Sequence, residues 1–290
     1  AAVRAGGFAL VWDFGAGNTA DAIGVRLGAA AQEVFMAGCS LQYSADGAQW
    51  TWLVDFARYA WPGAGAYTAA PAVGDPDYAK VALLLHMDGA NGSTTFTDSS
   101  ATPKTVTAVG GVAISTAQSK FGGASANFSG TGVLLVPHSS DISLNTGDIT
   151  IEMWLRLPSI GDGFILLNKQ DGSSGAAPLQ ILTTAAGAVR ARSYDASFAT
   201  FFNAQTPGGV LTAGDWDHIA LVRAGSIFTI YVRGVARASA TYTGALLANA
   251  FAWSVGAYSN LTGDPLVGQI DDLRISGDAR YTENFDPPTG

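Results

Sequence analysis

Beyond residue 80, short apolar runs return about every 8 to 15 residues, separated by Gly, Pro, Asn, Asp and Ser. The clearest run is Ile149 to Leu157. Ile149, Ile151, Met153, Leu155 and Leu157 fall on one side, and Thr150, Glu152, Trp154 and Arg156 on the other. This period of two is the signature of a β-strand, whose side chains alternate between faces. Strands are also predicted at Val81 to Met87, Gly163 to Asn168, Leu179 to Thr184, Val189 to Tyr194 and Asp217 to Arg223. Others follow at Ile227 to Arg233, Ala236 to Tyr242, Ala252 to Ala257 and Val267 to Ile275. Ala224-Gly225-Ser226 joins two of them as a tight hairpin. No helical period is present, and helical turns are expected only near Ala279 to Phe285.

The first 60 residues show the same grammar. Phe8 to Phe14, Ala22 to Leu27, Cys39 to Tyr43 and Trp50 to Phe56 read as strands, the last two flanking the turn Ser44-Ala45-Asp46-Gly47. Residues 61–79 are rich in Gly, Ala and Pro without a period, and read as a linker. The expectation is an all-β chain of two β-sandwiches, one at 1–60 and one at 80–290, joined by 61–79.

Composition narrows the functions. Hydrophobic residues make up 48% of the 290 and charged residues 13%, enough apolar material for a sizeable core. The net charge is -8, with no basic block, which argues against nucleic-acid binding. No apolar stretch reaches the roughly 20 residues that span a bilayer as a helix, so no membrane insertion is expected. No basic region followed by a long apolar run opens the chain, so no signal peptide is expected. The first residue is Ala, which reads as a processed chain or a fragment. The single cysteine, Cys39, reads as a small buried hydrophobe and cannot form an intrachain disulfide.

Catalytic patterns are sparse. Glycoside hydrolysis needs two carboxylates about 5 to 10 Å apart, yet the best strand carries only Glu152, expected to pair with Arg156 or with a basic residue on a neighbouring strand. His86, His138 and His218 belong to no G-x-S-x-G elbow. Gly-rich nucleotide motifs are absent from the sequence. A non-enzymatic protein is expected.

Two resemblances add to this. WDFG at 12–15, followed by LQYSADGAQWTWL at 41–53, resembles part of a discoidin-like, galactose-binding-like sandwich; the family's binding loops fall outside the match, so no site is carried over. From Val81 onward the chain resembles a laminin G-like, concanavalin A-like jelly roll. The landmarks are LLLHMDG at 83–89, FTDSS at 96–100, SKFGGASANFSGTG at 119–132 and GDITIEMWLRL at 147–157. After them come WDHIALVR at 216–223, IYVRGVA at 230–236, GQIDDLRIS at 268–276 and ARYTENF at 279–285. The wording LLLHMDGANGSTTFTDSS is similar to versions in tail and other virion proteins of bacteriophages. Arg233 stands where the family commonly has an acid.

The resemblance implies a virion protein, tail-associated, acting extracellularly on the host envelope. Its partners would be other virion subunits in a homo-oligomer (a trimer), and host surface polysaccharide. The alternatives are a structural decoration or baseplate component and, further off, a polysaccharide depolymerase. Laminin G-like domains often hold a structural calcium; Asp88, Asp98, Asp271 and Asp272 are its expected ligands, because carboxylates and turn carbonyls suit that ion. The alternative is that Asp88 and Asp98 cap turns. For carbohydrate, the expected contacts are Arg190, Arg192 and Tyr194 on one strand face, Phe198 and Asn203 in the loop after it, and Tyr258 and Asn260 in a later loop. Tyr231 and Arg233 share a second face. Arg with Tyr suits an acidic polysaccharide.

Overall fold

In the computed structural model the described residues are 40–43, 51–55 and 77–289, without 144, 170–175, 247–249 and 262. The chain divides into two compact units, 1–72 and 73–290. In the first, β1 (Ser40–Tyr43) pairs antiparallel with β2 (Thr51–Asp55), Leu41 opposite Val54 and Gln42 opposite Trp52. This is the hairpin expected around Asp46-Gly47. The other strands expected in residues 1–60, Cys39 and most of the linker lie outside the described residues.

Among the described residues the second unit is a β-sandwich of thirteen strands. A short 3-10 turn at Tyr78–Lys80 leads into β3 (Val81–Leu85), followed by β4 (Thr107–Ser115), β5 (Ser125–Val136), β6 (Ile149–Arg156) and β7 (Ile165–Asn168). Next come β8 (Ala177–Thr183), β9 (Val189–Tyr194), β10 (Thr200–Gln205), β11 (Trp216–Ala224) and β12 (Ile227–Val232). The last are β13 (Val235–Thr241), β14 (Trp253–Val255) and β15 (Val267–Ser276). They form one continuous path, β10-β9-β8-β7-β14-β5-β15-β6-β11-β12-β13, with β3 beside β15 and β4 beside β5. Among the described residues no helix is long and apolar enough to cross a membrane.

The alternation in β6 sets the core. Ile149, Ile151, Met153 and Leu155 join Ile219, Leu221, Ile230 and Ile275 from one half of the sheet and Phe128, Leu134, Leu179, Ile181, Val189, Ala191 and Trp253 from the other. Phe202 of β10 stacks on Phe228 of β12, ring centroids 4.1 Å apart, closing the two halves over the core. The first and last strands of the unit are neighbours: Leu85 faces Leu273, and Leu83 faces Ile275. β15 pairs with β5 through Val267–Ile270 and with β3 through Leu273–Ser276. The bulge between these stretches places Asp271 and Asp272 at the switch, with Asp272 at φ 51°.

Three strands were not anticipated. β4 (TAVGGVAIS) and β5 (SANFSGTGVLLV) carry glycines and small residues that blur the alternation, and β10 falls in a stretch that reads as a loop. Gly110 and Gly132 explain the first two. A Cβ on either would collide with the facing strand's backbone, so the close β4–β5 approach requires glycine at these places. The expected helical turns at 279–285 do not form; the segment is extended and bent. Its Phe285 amide donates to the Gly234 carbonyl at 2.9 Å, and its Arg280 amide to Thr150 Oγ1 at 3.0 Å. This tail explains why β6 is buried on both faces although its sequence alternates.

Candidate functional site

Three groups of predicted residues separate in space. The first is the acid corner. Asp98 stands apart from the others: its Oδ1 accepts from the amides of Leu84 (3.0 Å) and Ser100 (2.9 Å), and its Oδ2 from Lys104 (2.7 Å). It ties the 96–104 loop to β3, the turn-capping alternative. Asp88, Asp271 and Asp272 do gather. Asp271 is buried; Oδ2 accepts from the amides of Lys120 (2.7 Å) and Phe121 (3.1 Å), while Oδ1 is buried without a hydrogen-bond partner. Burial lifts the Asp271 carboxyl to about 6, against those two amides and with help from the charges of Asp272 and Asp88. The Asp88 carboxylate occupies the place of a Gly122 side chain, and Asp272 Oδ1 meets His86 Nδ1 at 2.7 Å.

A buried carboxylate with a spare oxygen beside two further acids suits a hard cation in charge and chemistry. Among the described residues, however, no three His, Cys, Asp or Glu side chains converge to hold a metal ion. A calcium ion here would draw on Asp271 and Asp88 and complete its shell with backbone carbonyls and water.

The second group is Glu152 and its neighbours on the outer face of β6, β11 and β12. Glu152 is 3% exposed. Its Oε2 accepts from the Tyr281 hydroxyl at 2.7 Å and lies 3.3 Å from His218 Nε2; its Oε1 lies 3.0 Å from Arg280 Nε. Its basic partners therefore come from β11, the tail and β15, where Arg274 Nε lies 3.8 Å from Oε1; Arg156 instead bonds to the Gly214 carbonyl and Gln269. Burial pushes the Glu152 carboxyl up, but His218, Tyr281 and Arg280 outweigh it and hold it below the usual range. Tyr231 packs under Tyr281 and Phe285, and Arg233 pairs with Asp217 and Thr212. The tail therefore covers Glu152 and Tyr231, while Arg233 stays exposed at the edge of this face. The environment drives Glu152 and Asp271 in opposite directions, as in acid–base pairs. Both are buried, Asp271 completely.

The third group meets on the outer face of β8, β9 and β10. Val189 and Ala191 point into the core, so Arg190 and Arg192 point outward. Arg190 Nε donates to Asn203 Oδ1 on β10 at 2.7 Å, and Arg192 Nε donates to Gln180 Oε1 on β8 at 2.6 Å. Gln180 Nε2 donates to the Tyr258 hydroxyl at 2.9 Å. The Arg192 guanidinium lies 5.3 Å from the Tyr194 ring centre, and Tyr194 stacks on Phe198 at 5.7 Å. Burial and the neighbouring Tyr258 hydroxyl raise the Tyr194 phenol above its ordinary value. Ile165, Leu182, Thr184, Arg190, Arg192 and Asp264 line an open groove of about 240 Å³ on this face.

Five predicted contacts thus lie side by side on this face, Arg190 with Asn203 and, next to them, Arg192 with Tyr194 and, through Gln180, Tyr258. Phe198 is its exposed edge at 69%. Asn260 is exposed in the turn after Tyr258. Two groups escaped the sequence. Gln180, between the inward Leu179 and Ile181, was readable from alternation. Asp264 arrives from a distant loop and had no local signal.

A sequence-family model described as the concanavalin A-like lectin/glucanases superfamily matches residues 128–284. No curated protein matches the chain in sequence. Among solved structures, the chain is similar to the binding domain of Paraclostridial Mosquitocidal Protein 1 (TM-score 0.55, 17% identity, 70% of this chain and 50% of that one). It is similar to domain 4 of AbnA, a GH43 extracellular arabinanase from Geobacillus stearothermophilus, in complex with arabinotriose (0.52, 18%, 69% and 93%). It is also similar to the receptor binding domain of a botulinum neurotoxin C/D mosaic serotype (0.55, 12%, 70% and 49%). The chain spans about half the length of the two toxin domains. At these identities the likeness is one of fold.

Proposed function

We infer that this chain, which belongs to the concanavalin A-like lectin/glucanases superfamily, is a non-enzymatic module that binds carbohydrate on a cell surface. The observation that carries this reading is the convergence of Arg190, Arg192, Asn203 and, through Gln180, Tyr258 on one open sheet face. Planar hydrogen-bonding groups beside an aromatic edge suit the hydroxyls and C–H faces of a sugar. The similar structures support it: two are binding domains, one of them the receptor binding domain of a neurotoxin, and one is an arabinanase domain in complex with arabinotriose. The sealing of Glu152 by the tail supports a module without hydrolytic activity.

The reading extends to a virion, tail-associated protein that contacts host surface polysaccharide through several copies, so that weak single contacts add. Support for this context is the resemblance of LLLHMDGANGSTTFTDSS to phage virion sequences. A structural calcium at Asp271 and Asp88 belongs to the same proposal. The test is a glycan array probed with the full chain at multivalent density. Binding lost in Arg192→Ala and Tyr258→Phe is the expected result, whereas an array without signal overturns the reading. Reducing-end release from the bound glycan would restore the depolymerase.

A further inference from the structure

Arg190 and Arg192 carry adjacent positive charges on one strand face, yet each is held by a neutral group. Asn203 takes one Nε and Gln180 the other. Among the described residues neither guanidinium has a carboxylate within ion-pair distance, and their terminal amino groups make no hydrogen bond. Arg223 shows the contrast. Its Nε donates to the Gly225 carbonyl at 2.9 Å, one terminal nitrogen to Asn145 at 2.5 Å and the other to Gly244 at 2.9 Å, so its donors are consumed by the fold. At Arg190 and Arg192 the fold fixes only the plane of each guanidinium and leaves the two forks for something else.

The cost of this arrangement is visible. Both side chains are only partly exposed, and burial together with the charge of Arg192 lowers the Arg190 pKa. Two half-buried cations with no anion are unfavourable in a free protein. A neutral sugar needs hydrogen-bonding groups but gives no return for a doubled positive charge. An oxyanion does, because guanidinium forks match carboxylate and sulfate geometry. Asp264 lines the same groove and repels an anion on its own side. With a chain charge of -8 and no basic block, a polyphosphate backbone is a poor partner.

We propose that the groove beside Arg190 and Arg192 recognises an anionic substituent of a glycan, the carboxylate of a uronic acid or a sulfate ester, with Asn203 and Tyr258 contacting neighbouring hydroxyls. This rests on the carbohydrate-binding reading and names its ligand class. The test is calorimetry on the full chain with trigalacturonate, a sulfated chondroitin disaccharide and neutral galactotriose. One of the two charged probes binds at least about tenfold more tightly than galactotriose, and its affinity falls as salt rises from about 50 to about 500 mM. Which probe responds identifies the oxyanion.

Arg190→Gln with Arg192→Gln removes that preference: the charged probe loses its roughly tenfold advantage and binds no more tightly than galactotriose does to the same variant. If the double variant does not fold, Arg192→Lys is read instead: it keeps the charge, loses the fork and weakens the charged probe by about threefold to tenfold. Equal affinity for charged and neutral probes overturns this inference and leaves the carbohydrate reading standing. Binding of no glycan overturns both. Charged-probe binding unchanged in the Arg variants overturns the placement.

Discussion

Gly234 and Phe285 are locked together: the Phe285 amide donates to the Gly234 carbonyl at 2.9 Å, and the Phe285 carbonyl fills the space a Gly234 side chain would occupy. Gly234 also sits at φ 71°, in the tip of the β12–β13 hairpin. Through this contact the hairpin holds the tail, and the tail covers Glu152, His218 and Tyr231.

Gly234→Ala is therefore expected to cost about 2–4 kcal/mol, combining left-handed backbone strain with the clash. Urea denaturation measures it. A variant within about 0.5 kcal/mol of the parent would show that the tail can move away without penalty.

Glu152 should behave as a buried anion held by the Tyr281 hydroxyl and the Arg280 charge. Glu152→Ala leaves Arg280 and His218 without their carboxylate and is expected to cost about 3–5 kcal/mol. Tyr281→Phe removes one charge-assisted hydrogen bond and should cost about 1–3 kcal/mol. Double-mutant denaturation of the pair should be less than additive, because both changes act on the same carboxylate.

Asp141 supplies a pH signature. Burial raises its pKa, but hydrogen bonds from Lys104, Ser139 and Thr102 outweigh it and hold the carboxyl at about 2. A depressed folded-state value means stability is present above the ordinary carboxylate range and lost as pH falls from about 4 toward 2. With the Asp141 side chain 34% exposed, solvent screening reduces the effect to about 1 kcal/mol. Asp141→Asn should be less stable by that amount at neutral pH, and the two denaturation curves should converge near about pH 2.

Phe198 and Phe202 lie four positions apart and should separate cleanly. Phe202 is buried against Phe228, so Phe202→Ala is expected to cost about 3–5 kcal/mol. Phe198 is 69% exposed, so Phe198→Ala should change stability by less than about 0.5 kcal/mol. It should instead weaken glycan binding through loss of the Tyr194–Phe198 edge.

Calcium is tested by thermal melts. With ion at about 100 times Kd, linkage adds about 2.7 kcal/mol, or roughly 5–10 °C for a unit of this size. Asp271→Asn should abolish the response. Asp98→Asn should lower the melting temperature equally with calcium or chelator, because its role is to hold the Leu84, Ser100 and Lys104 amides. An unchanged melt on chelation removes the ion from the proposal.

The all-β class was legible because side-chain direction in a strand is a local property. The alternation at Ile149–Leu157 and Val189–Tyr194 already tells which residues face the core, and it put Arg190, Arg192 and Tyr194 on one side. The landmarks from Val81 to Phe285 carried the jelly roll. Glycine-rich β4 and β5 stayed hidden, since their pairing depends on a backbone approach that leaves no apolar pattern. Tertiary structure alone decided which outer faces remain open. Trp154 and Arg192 each follow a core residue in a strand; distant segments enclose the first, whereas the second borders a groove. It also sent Phe202 inward and Phe198 outward, and turned Asp98 into a cap. Those outcomes depend on segments far apart in the chain, and no local period encodes what packs on the far side of a strand.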